Sequence, residues 1–378
     1  MNFEKLGINS NIVNILKKNG ITTPTEIQDR SIPGILAGHD VIGEAKTGTG
    51  KTLAFLLPAI QNIKVNSNAT EVLVLSPTRE LAIQITDEAK KLTEGTEIKI
   101  LAAYGGKDVG AQLKKLKNNI NMIVATPGRL IDHLGRKSID LSKVKMVIID
   151  EADQMLLMGF KNEIEKIMQH IAKKAQVLCF SATMDSQVKK LSYRYMNDPI
   201  YIEIKDETIT VDTIKQEVVE TTDRWKQDAL FSAMAEDNPF IAMIFCRTKR
   251  RADDLEAAFA DRKIKCSKIH SDVPQAKRER MMKSFKKADV QFLIATDVAA
   301  RGIDASNVTH IYNYDMPESV ESYIHRIGRT GRAGDTGYTC MFTDPKNLPM
   351  LKEIEKTIGF GIERRELEII RTNTHKNQ

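Results

Sequence analysis

The sequence predicts an α/β protein with two tandem domains, each a mostly parallel sheet flanked by helices. Short apolar runs rich in β-branched residues alternate with longer stretches of helical periodicity. The short runs are apolar throughout, which is typical of parallel strands covered on both faces. The alternation pauses near residue 205 and then begins again, so we expect the same architecture twice in 378 residues.

Helical spacing separates the predicted strands of the first half, as at Leu81, Ile85, Ala89 and Leu92. The predicted strands are 40–43, 72–76, 98–102, 122–125, 146–149 and 177–180. Residues 205–213 are polar and β-branched without a helical period, which favours an extended linker.

The second half repeats the pattern. Its predicted strands are 218–220, 243–245, 267–269, 292–295, 310–313 and 339–342, with helices such as 251–259 and 275–286 between them. We therefore predict a first domain over 1–206, a linker over 207–213, a second domain over 214–370 and a polar tail over 371–378.

The composition is ordinary for a globular protein, with 42% hydrophobic and 28% charged residues. No apolar run is long enough to span a membrane, and the first residues do not resemble a secretory signal, so we expect a cytoplasmic protein. The net charge of +6 permits a nucleic-acid groove. The four cysteines are scattered without a C-x-x-C pair, so neither disulfides nor metal ligation by cysteine is expected.

Residues 45–52 read Ala-Lys-Thr-Gly-Thr-Gly-Lys-Thr, between an apolar strand and an apolar helical pattern. Two glycines allow the backbone to curl so that amide N–H groups converge on an anion at a helix N-terminus. Lys51 is expected to reach the outer phosphates and Thr52 to place its hydroxyl on Mg²⁺. An ordinary glycine-rich turn is the alternative, which the strand–loop–helix context disfavours. The predicted nucleotide contacts are Thr47, Gly48, Thr49, Gly50, Lys51 and Thr52.

A second signature is the apolar run 147–149, which ends in Asp150 and Glu151. Such a strand delivers a carboxylate to the carboxyl edge of a parallel sheet, where ligands of open α/β folds bind. We predict that Asp150 holds Mg²⁺ and that Glu151 orients and deprotonates the attacking water. An acidic helix cap would give the same pattern, but the phosphate loop makes it the weaker alternative.

These stretches, with further blocks in a fixed order, resemble the DEAD-box RNA helicases, whose name residues 150–153 spell. The other blocks are Phe3 with 20–28, then 77–82, 105–106, 126–129, 181–183, 275–278, 295–304 and 325–332. The resemblance covers residues 3–370 and implies two tandem RecA-like domains that bind ATP and RNA. Ser271 departs from the family pattern, where many members have glycine, and this change is expected to affect a loop only.

The nucleotide is expected to be ATP. An amide such as that of Gln28 pairs with the exocyclic amine and the adjacent ring nitrogen of adenine, a contact that guanine cannot match. Phe3 is expected to stack on the same base. The resemblance further implies that Thr23 contacts the nucleotide and that Asp304 meets the ribose hydroxyls.

The second domain is expected to contribute to hydrolysis. Arg329 and Arg332 lie in a glycine-separated run and resemble arginine fingers, which raise the rate of hydrolysis by several powers of ten. The resemblance implies that His325 joins the network around Glu151. Without the family resemblance, an isolated histidine such as His325 is more readily interpreted as structural.

The RNA contacts implied by the resemblance come from both domains. They are Pro77, Thr78, Arg79, Gly105, Gly106, Thr126, Pro127, Gly128, Arg129, Arg247, Gln275, Arg278 and Thr296. Amides, hydroxyls and guanidinium groups suit phosphates and 2′-hydroxyls, so binding is expected to be largely independent of base sequence. Asp153, Ser181 and Thr183 are expected to couple the two ligand sites.

The function predicted is that of an RNA-stimulated ATPase, a monomer that unwinds short RNA duplexes by local strand separation. The alternative is an ATP-gated RNA clamp that unwinds little. A DNA translocase and a phosphate-loop kinase are less favoured, because the blocks match an RNA-acting family and a kinase has no use for the second domain's arginines. The polar tail predicts a minimal helicase core. Protein partners, ribosomal particles, ribosome assembly, RNA decay and cold adaptation are all compatible with the sequence.

Overall fold

A computed structural model describes residues 2–46, 48–65, 67–105, 119–204, 214–300, 307–331 and 336–368. The chain divides into two compact units, Met1–Lys205 and Asp206–Gln378. Within the described residues each unit contains a seven-stranded sheet in which neighbouring strands are parallel. The predicted fold class is thereby confirmed. The predicted linker 207–213 and tail 371–378 lie outside the described residues.

The first sheet contains the six strands predicted for this half, with their ends displaced by at most two residues. Its strands are β1 Val41–Glu44, β2 Val72–Leu75, β3 Ile100–Ala103, β4 Met122–Ala125, β5 Met146–Asp150, β6 Gln176–Ser181 and β7 Ile200–Glu203. Their spatial order is β3-β4-β2-β5-β6-β1-β7. The sequence did not predict β7, an edge strand in which Ile200 and Tyr201 are 38% and 41% exposed, because it is not covered on both faces.

Helices cover both faces of this sheet. They are α1 Ser10–Lys18, α2 Glu26–Leu36, α3 Lys51–Asn62, α4 Arg79–Leu92, α5 Pro127–Gly135, α6 Ala152–Leu157, α7 Lys161–Met168 and α8 Ser186–Tyr195. Successive residues of β2 enter different apolar clusters: Val72 and Val74 belong to one, Leu73 and Leu75 to the other. Burial on both faces explains why the predicted strands are apolar throughout.

The second sheet has the order β10-β11-β9-β12-β13-β8-β14. Its strands are β8 Ile214–Glu220, β9 Ala242–Cys246, β10 Cys266–Ile269, β11 Phe292–Thr296, β12 His310–Asn313, β13 Gly337–Thr343 and β14 Glu363–Arg364. The six predicted strands correspond to β8–β13, although β8 begins four residues earlier, at Ile214 instead of residue 218. β14 was not predicted, since two exposed charged residues carry no strand pattern.

The second unit is layered in the same way. Its helices are α9 Lys226–Asp237, α10 Lys249–Asp261, α11 Gln275–Lys286, α12 Asp297–Ala300, α13 Val320–Ile327 and α14 Leu348–Ile358, with a short 3₁₀ turn at Pro345–Asn347. Ala242 and Ile244 of β9 belong to one apolar cluster, Met243 and Phe245 to the other. The repeat of the pattern along the chain therefore corresponds to a repeat of the architecture.

The cysteines Cys179, Cys246, Cys266 and Cys340 are free thiols. Among the residues that the structure describes, no group of three or more histidine, cysteine and acidic side chains is arranged to hold a metal ion. The described helices include none that is both long and apolar enough to cross a membrane.

Candidate nucleotide and RNA site

The phosphate loop connects β1 to α3. Gly48 and Gly50 have φ angles of 91° and 94°, a left-handed backbone that favours glycine. Lys51 is the first residue of α3. Its side chain is buried, and Nζ donates to the carbonyl of Ala45 at 2.5 Å. The first amides of a helix lack intrahelical partners, so this helix end and the adjacent ammonium group suit an anion.

Gln28 connects α2 to the phosphate loop. Its side chain is 2% exposed; Oε1 accepts from the amide of Thr25 and Nε2 donates to the carbonyl of Gly50, each at 3.0 Å. A Cβ on residue 50 would overlap Nε2, so the position requires glycine. Oε1 keeps a second lone pair and Nε2 a second hydrogen, which are the groups that an adenine edge needs.

Asp150 ends β5, and Glu151 forms the turn into α6. Asp150 is 3% exposed, and its Oδ1 accepts from the amide of Glu151 at 3.1 Å. Burial raises the pKa of Asp150 to about 7, and the Lys51 ammonium opposes that rise. Glu151 has φ of 53°. A non-glycine residue in this region costs roughly 1–3 kcal/mol, and such residues cluster at functional sites.

The three predicted coupling residues meet in the first unit. The Ser181 hydroxyl accepts from the amide of Asp153 at 3.2 Å, and the Thr183 hydroxyl donates to Oδ2 of Asp153 at 3.2 Å. The carbonyl of Ser181 also accepts from the amide of Ala45 at 3.0 Å. A short chain of hydrogen bonds therefore joins the acidic turn to the phosphate loop.

Predicted RNA contacts follow β2 and β3 at the same edge of the sheet. The Thr78 hydroxyl caps α4 by accepting from the amide of Leu81 at 3.2 Å, and Arg79 is the first residue of that helix. A Cβ on Gly105, just after β3, would lie 2.9 Å from Nη2 of Arg79. The guanidinium group therefore packs against glycine backbone, where any other residue would displace it.

The next block follows β4. Thr126 precedes α5 and Pro127 is its first residue, a position where the missing N–H of proline costs nothing. Gly128 is exposed, with open space where a Cβ would lie. Nη1 of Arg129 lies 3.9 Å from Oδ2 of Asp132. Gly128 thus leaves its backbone accessible at the start of a helix.

Strand order divides the carboxyl edge of the first sheet into two parts. The neighbouring strands β3, β4 and β2 end in the predicted RNA blocks, whereas β5, β6 and β1 end in the acidic, coupling and phosphate-loop blocks. The two parts adjoin where β2 pairs with β5. Blocks that are scattered along the sequence are therefore grouped in space according to the ligand predicted for each.

The second sheet presents predicted RNA contacts at the ends of β9 and β11. Arg247 follows β9 and is exposed; its amide donates to Oδ2 of Asp315 at 2.9 Å and its Nη2 to the carbonyl of Met316 at 3.2 Å. Thr296 ends β11 and is 9% exposed. β11 and β9 are neighbours, so these two residues lie at one edge.

Arg278 of α11 is more buried than a surface RNA contact would be. It is 9% exposed, and its Nη2 donates to the carbonyl of Ala299 at 3.4 Å. This bond connects α11 to α12, so Arg278 has a packing role inside the second unit whether or not it touches RNA.

Helix α13 carries His325 and leads to Arg329. Between them, Arg326 is 2% exposed and its Nε and Nη2 donate to the two oxygens of Asp297 at 2.6 and 2.7 Å. Its Nη1 donates to Oδ1 of Asn313 at 3.0 Å. His325, Arg326 and Arg329 line one small cavity together with Asp297. Arg329 is itself 5% exposed.

The predicted stacking of Phe3 on adenine does not fit the structure. The Phe3 side chain is 1% exposed and belongs to the apolar cluster that also contains Leu6 and Leu16. Burial of an aromatic ring removes a large apolar surface from water, and here that gain ties the start of the chain to the core. We therefore leave Phe3 out of the proposed site.

Several predicted residues lie outside the described part of the chain. They are Thr47, Gly106, Asp304 and Arg332, together with the side chain of Gln275. Thr23 is described and exposed, beside the start of α2.

Sequence reasoning missed Arg326 and Asp315. Asp315 is 5% exposed between Lys226 and Arg251, and its carbonyl accepts from Nη1 of Arg326 at 2.7 Å. A signal for Arg326 was present, since it lies three residues after Tyr323 and so on the apolar stripe of α13. No comparable pattern marks Asp315.

The residues present fit Mg²⁺ bound together with a nucleotide. Asp150 is a buried carboxyl group whose raised pKa reflects the cost of its charge, which a divalent cation would offset. Mg²⁺ takes few protein ligands and completes its coordination with water and substrate phosphates, so one carboxylate and the Thr52 hydroxyl suffice. When bound, the ion neutralises charge on the phosphates.

Comparison with protein families agrees with this geometry. Residues 25–191 match the DEAD/DEAH box helicase family and residues 225–334 match the helicase conserved C-terminal domain. The chain is 44% identical over 355 residues to the DEAD-box ATP-dependent RNA helicase CshA of Bacillus subtilis, covering 94% of this chain and 72% of that protein. Identity to CshA of Geobacillus kaustophilus is 42%, over 96% of this chain and 78% of that protein.

Solved structures show the same fold over nearly the whole chain. S. cerevisiae Dbp5 bound to RNA and ADP BeF3 matches with a TM-score of 0.88 at 29% identity, covering 96% of this chain and 95% of that one. Mss116p bound to ssRNA and AMP-PNP matches with a TM-score of 0.88 at 31% identity, covering 97% and 80%. Family matches, relatives and site geometry agree, and the chain belongs to the DEAD-box family of ATP-dependent RNA helicases.

Proposed function

We propose that this protein hydrolyses ATP when RNA is bound and separates short RNA duplexes by bending one strand. The observation that carries the proposal is the division of one sheet edge between two kinds of block. The phosphate loop and the acidic turn follow β1 and β5, and the arginine and glycine blocks follow β2, β3 and β4. Identities of 42–44% to proteins named RNA helicases support it.

In the first unit, the Lys51 ammonium and the first amides of α3 bind the phosphates, and Gln28 selects adenine through its remaining hydrogen-bonding positions. Asp150 and Thr52 would hold Mg²⁺, which supplies positive charge beside the phosphates when bound. Glu151 orients the attacking water and accepts its proton, so that ATP and water become ADP and phosphate. The hydrogen bonds through Asp153 and Ser181 join the acidic turn to the phosphate loop within the nucleotide half of the edge, which adjoins the RNA half where β2 pairs with β5.

In the second unit, we propose that Arg329 and Arg332 neutralise charge that develops on the γ-phosphate, and that His325 joins the network of Glu151. Arginines of this kind are worth roughly 10³–10⁵ in kcat. RNA is bound through phosphates and 2′-hydroxyls by Arg79, Gly105, Thr126 and Arg247 and their neighbours. Contacts of these chemical types do not read bases, so substrates of different sequence are expected to stimulate equally.

The Lys51→Ala variant tests the nucleotide site. Removing the ammonium is expected to abolish RNA-stimulated ATP hydrolysis while the fold persists, because the lysine does not belong to the apolar clusters. The matched control is Lys18→Ala, an exposed lysine near the end of α1, which is expected to hydrolyse like the wild type. RNA-stimulated turnover by Lys51→Ala within a few-fold of wild type would contradict the proposed site.

The wild type is also tested with different nucleotides and nucleic acids. Hydrolysis is expected with ATP and not with GTP, and with RNA and not with DNA of the same sequence. A labelled short duplex is expected to separate in the presence of ATP. Hydrolysis without any strand separation would instead identify an ATP-gated RNA clamp.

Action as a monomer, a cytoplasmic location, protein partners and ribosomal particles stay predictions from the sequence. Sedimentation of the purified chain tests the first, and crosslinking of RNA to the protein in cells identifies the physiological substrates.

A further inference from the structure

Among the helices that the structure describes, α11, Gln275–Lys286, has the largest excess of basic over acidic side chains. Within its twelve residues it has five basic side chains and a single glutamate, a formal charge of +4 in a chain whose net charge is +6. The neighbouring α10 carries basic and acidic side chains in similar number. The positive charge that the sequence permits for a nucleic-acid groove is therefore concentrated on one helix.

Four of the five basic side chains of α11 are exposed, and Arg278 is the exception. Phe285 is 2% exposed and Arg278 9% exposed on the inner face. Lys277, Arg280 and Lys283 are exposed, and so is Lys287 just after the helix. Three-residue spacing on a helix of 3.6 residues per turn keeps these cations on one side.

These cations have no acidic partners in the described part of the chain. Arg280 donates from Nε to the carbonyl of Ala276 at 3.2 Å, and Lys277, Lys283 and Lys287 make no ion pair there. Surface cations of other helices do pair, as Lys91 does with Glu88 at 3.2 Å. Like charges on one helix face repel by a few tenths of a kcal/mol per pair, so this face does not stabilise the helix itself.

The face is continuous with the proposed RNA edge of the second unit. α11 follows β10, which pairs with β11, and Thr296 ends β11. A helix after a parallel strand begins at the carboxyl edge of the sheet and runs back along it. Its length of about 18 Å therefore extends the basic surface away from that edge.

We propose that the outer face of α11 binds the phosphate backbone of RNA that extends beyond the segment held at the strand ends. This inference rests on the proposed function. A protein partner needs a buried apolar or aromatic anchor, and the exposed side chains of this face are charged instead. A single sign of charge repeated along a helix suits a polyanion recognised without regard to sequence.

The test is a triple variant, Lys277→Gln, Arg280→Gln and Lys283→Gln, since glutamine retains helix propensity. The control, Lys346→Gln, Lys352→Gln and Lys356→Gln, removes the same charge from exposed positions in and just before α14. A second variant, Lys277→Arg with Lys283→Arg, retains the charge. Thermal midpoints of all proteins check that they are folded.

RNA affinity is measured against salt concentration for two single strands, one just long enough to saturate ATPase stimulation and one twice as long. On the longer strand, the triple variant is expected to lose up to about 2 from the log–log salt slope, since each phosphate contact contributes about 0.7. Its affinity should fall to that for the short strand. The control and the arginine variant should behave like the wild type.

Two results would overturn the proposal. If the triple variant has the same salt slope on the longer RNA as the control variant, the outer face of α11 does not bind RNA. It is then either only solvated or a binding site for an acidic protein. An equal loss on both strands means that these residues belong to the strand-edge site. Stimulation of wild-type ATP hydrolysis by the short strand tests the proposed function separately. If the short strand does not stimulate hydrolysis, the proposed RNA-stimulated ATPase is wrong, whatever the salt dependence of RNA binding.

Discussion

Asp150 and Glu151 are adjacent carboxyl groups in different surroundings. Asp150 is buried beside Lys51, and burial raises its pKa to about 7. Glu151 is half-buried, and its backbone is left-handed. The chain therefore turns at Glu151 and leaves the direction of strand β5. These different surroundings support the proposal that Asp150 would bind the cation and that Glu151 acts as the base.

The variant Glu151→Gln is expected to lower RNA-stimulated turnover by roughly 10²–10⁴, the usual contribution of a general base. Binding of ATP and RNA should persist, because the amide has the shape of the carboxylate and leaves Asp150 in place. Single-turnover hydrolysis and equilibrium RNA binding measure the two effects. The exposed Glu94→Gln is the control. Normal hydrolysis by Glu151→Gln would remove Glu151 as the base.

Glu71 makes stability depend on pH. It is 3% exposed; Oε1 pairs with Nζ of Lys145 at 2.7 Å and Oε2 accepts from the amide of Lys64 at 3.1 Å. Burial opposes its ionisation, but these hydrogen bonds hold the pKa of Glu71 below its ordinary value of 4.5. A carboxyl group with a lowered folded-state pKa stabilises the fold above its unfolded pKa and loses that effect as the pH falls.

We therefore expect wild type and Glu71→Gln to differ in free energy of unfolding at pH 7, and the difference to shrink as the pH falls below about 4.5. Urea unfolding at several pH values measures this difference. Glu94→Gln is again the control and should show no such trend. A difference that grows on acidification would contradict the lowered pKa.

At the scale of elements, prediction succeeded where burial on both faces leaves a pattern. Strand β4 was predicted residue for residue, because four buried apolar residues stand between polar segments. Edge strands β7 and β14 lack that pattern and were missed. Phe3 was assigned to the nucleotide because its spacing resembles a family position, while its apolar character, which places it in the core, was given less weight.

Helix α13 shows that a sequence motif does not distinguish structural residues from those proposed to act in the reaction. Arg326 within it and Arg329 just after it are both arginines of one motif, yet Arg326 is fixed by both oxygens of Asp297 and by Asn313. Lysine cannot reproduce this planar fork. The ion pair between the buried Arg326 and the half-buried Asp297 therefore positions the helix that carries His325 and precedes Arg329.

Arg326→Lys is expected to destabilise the protein by about 1–3 kcal/mol, since lysine keeps the charge but leaves buried acceptors of the guanidinium, such as Oδ1 of Asn313, without their hydrogen bond. Urea unfolding measures the loss, and the exposed Arg250→Lys serves as the control. Hydrolysis should fall at least as far as the folded fraction does, because the ion pair positions the helix that carries His325. A fully stable variant with impaired catalysis would instead assign Arg326 to the reaction.

At the scale of the whole molecule, the duplication of the fold was readable from the sequence because strand and helix patterns repeat after residue 213. The spatial grouping of the blocks according to their predicted ligands was not readable from the sequence, since it depends on strand order. The β2 block precedes the β5 block by more than sixty residues in sequence, yet the two strands are neighbours in the sheet. Parallel crossover connections bring such distant segments to one edge.

The proposed function assigns residues of both units to each ligand, so we expect the two ligands to assist each other. If ATP raises the affinity for RNA by some factor, linkage requires that RNA raise the affinity for ATP by the same factor. Arg332 is proposed to act on the nucleotide from the second unit. Arg332→Ala should therefore leave ATP affinity without RNA nearly unchanged and reduce both the mutual factor and RNA-stimulated hydrolysis.

The size of the loss distinguishes this role from a structural one. An arginine that neutralises charge in the transition state is worth roughly 10³–10⁵ in kcat, whereas one that only pairs with a nearby carboxylate such as Asp335 affects stability. Thermal midpoint, stimulated hydrolysis and RNA binding with and without ATP are measured on Arg332→Ala and on the control Arg250→Ala. A lower midpoint with normal hydrolysis would remove Arg332 from the mechanism, and mutual enhancement of ATP and RNA binding would then have to come from other residues of the second unit.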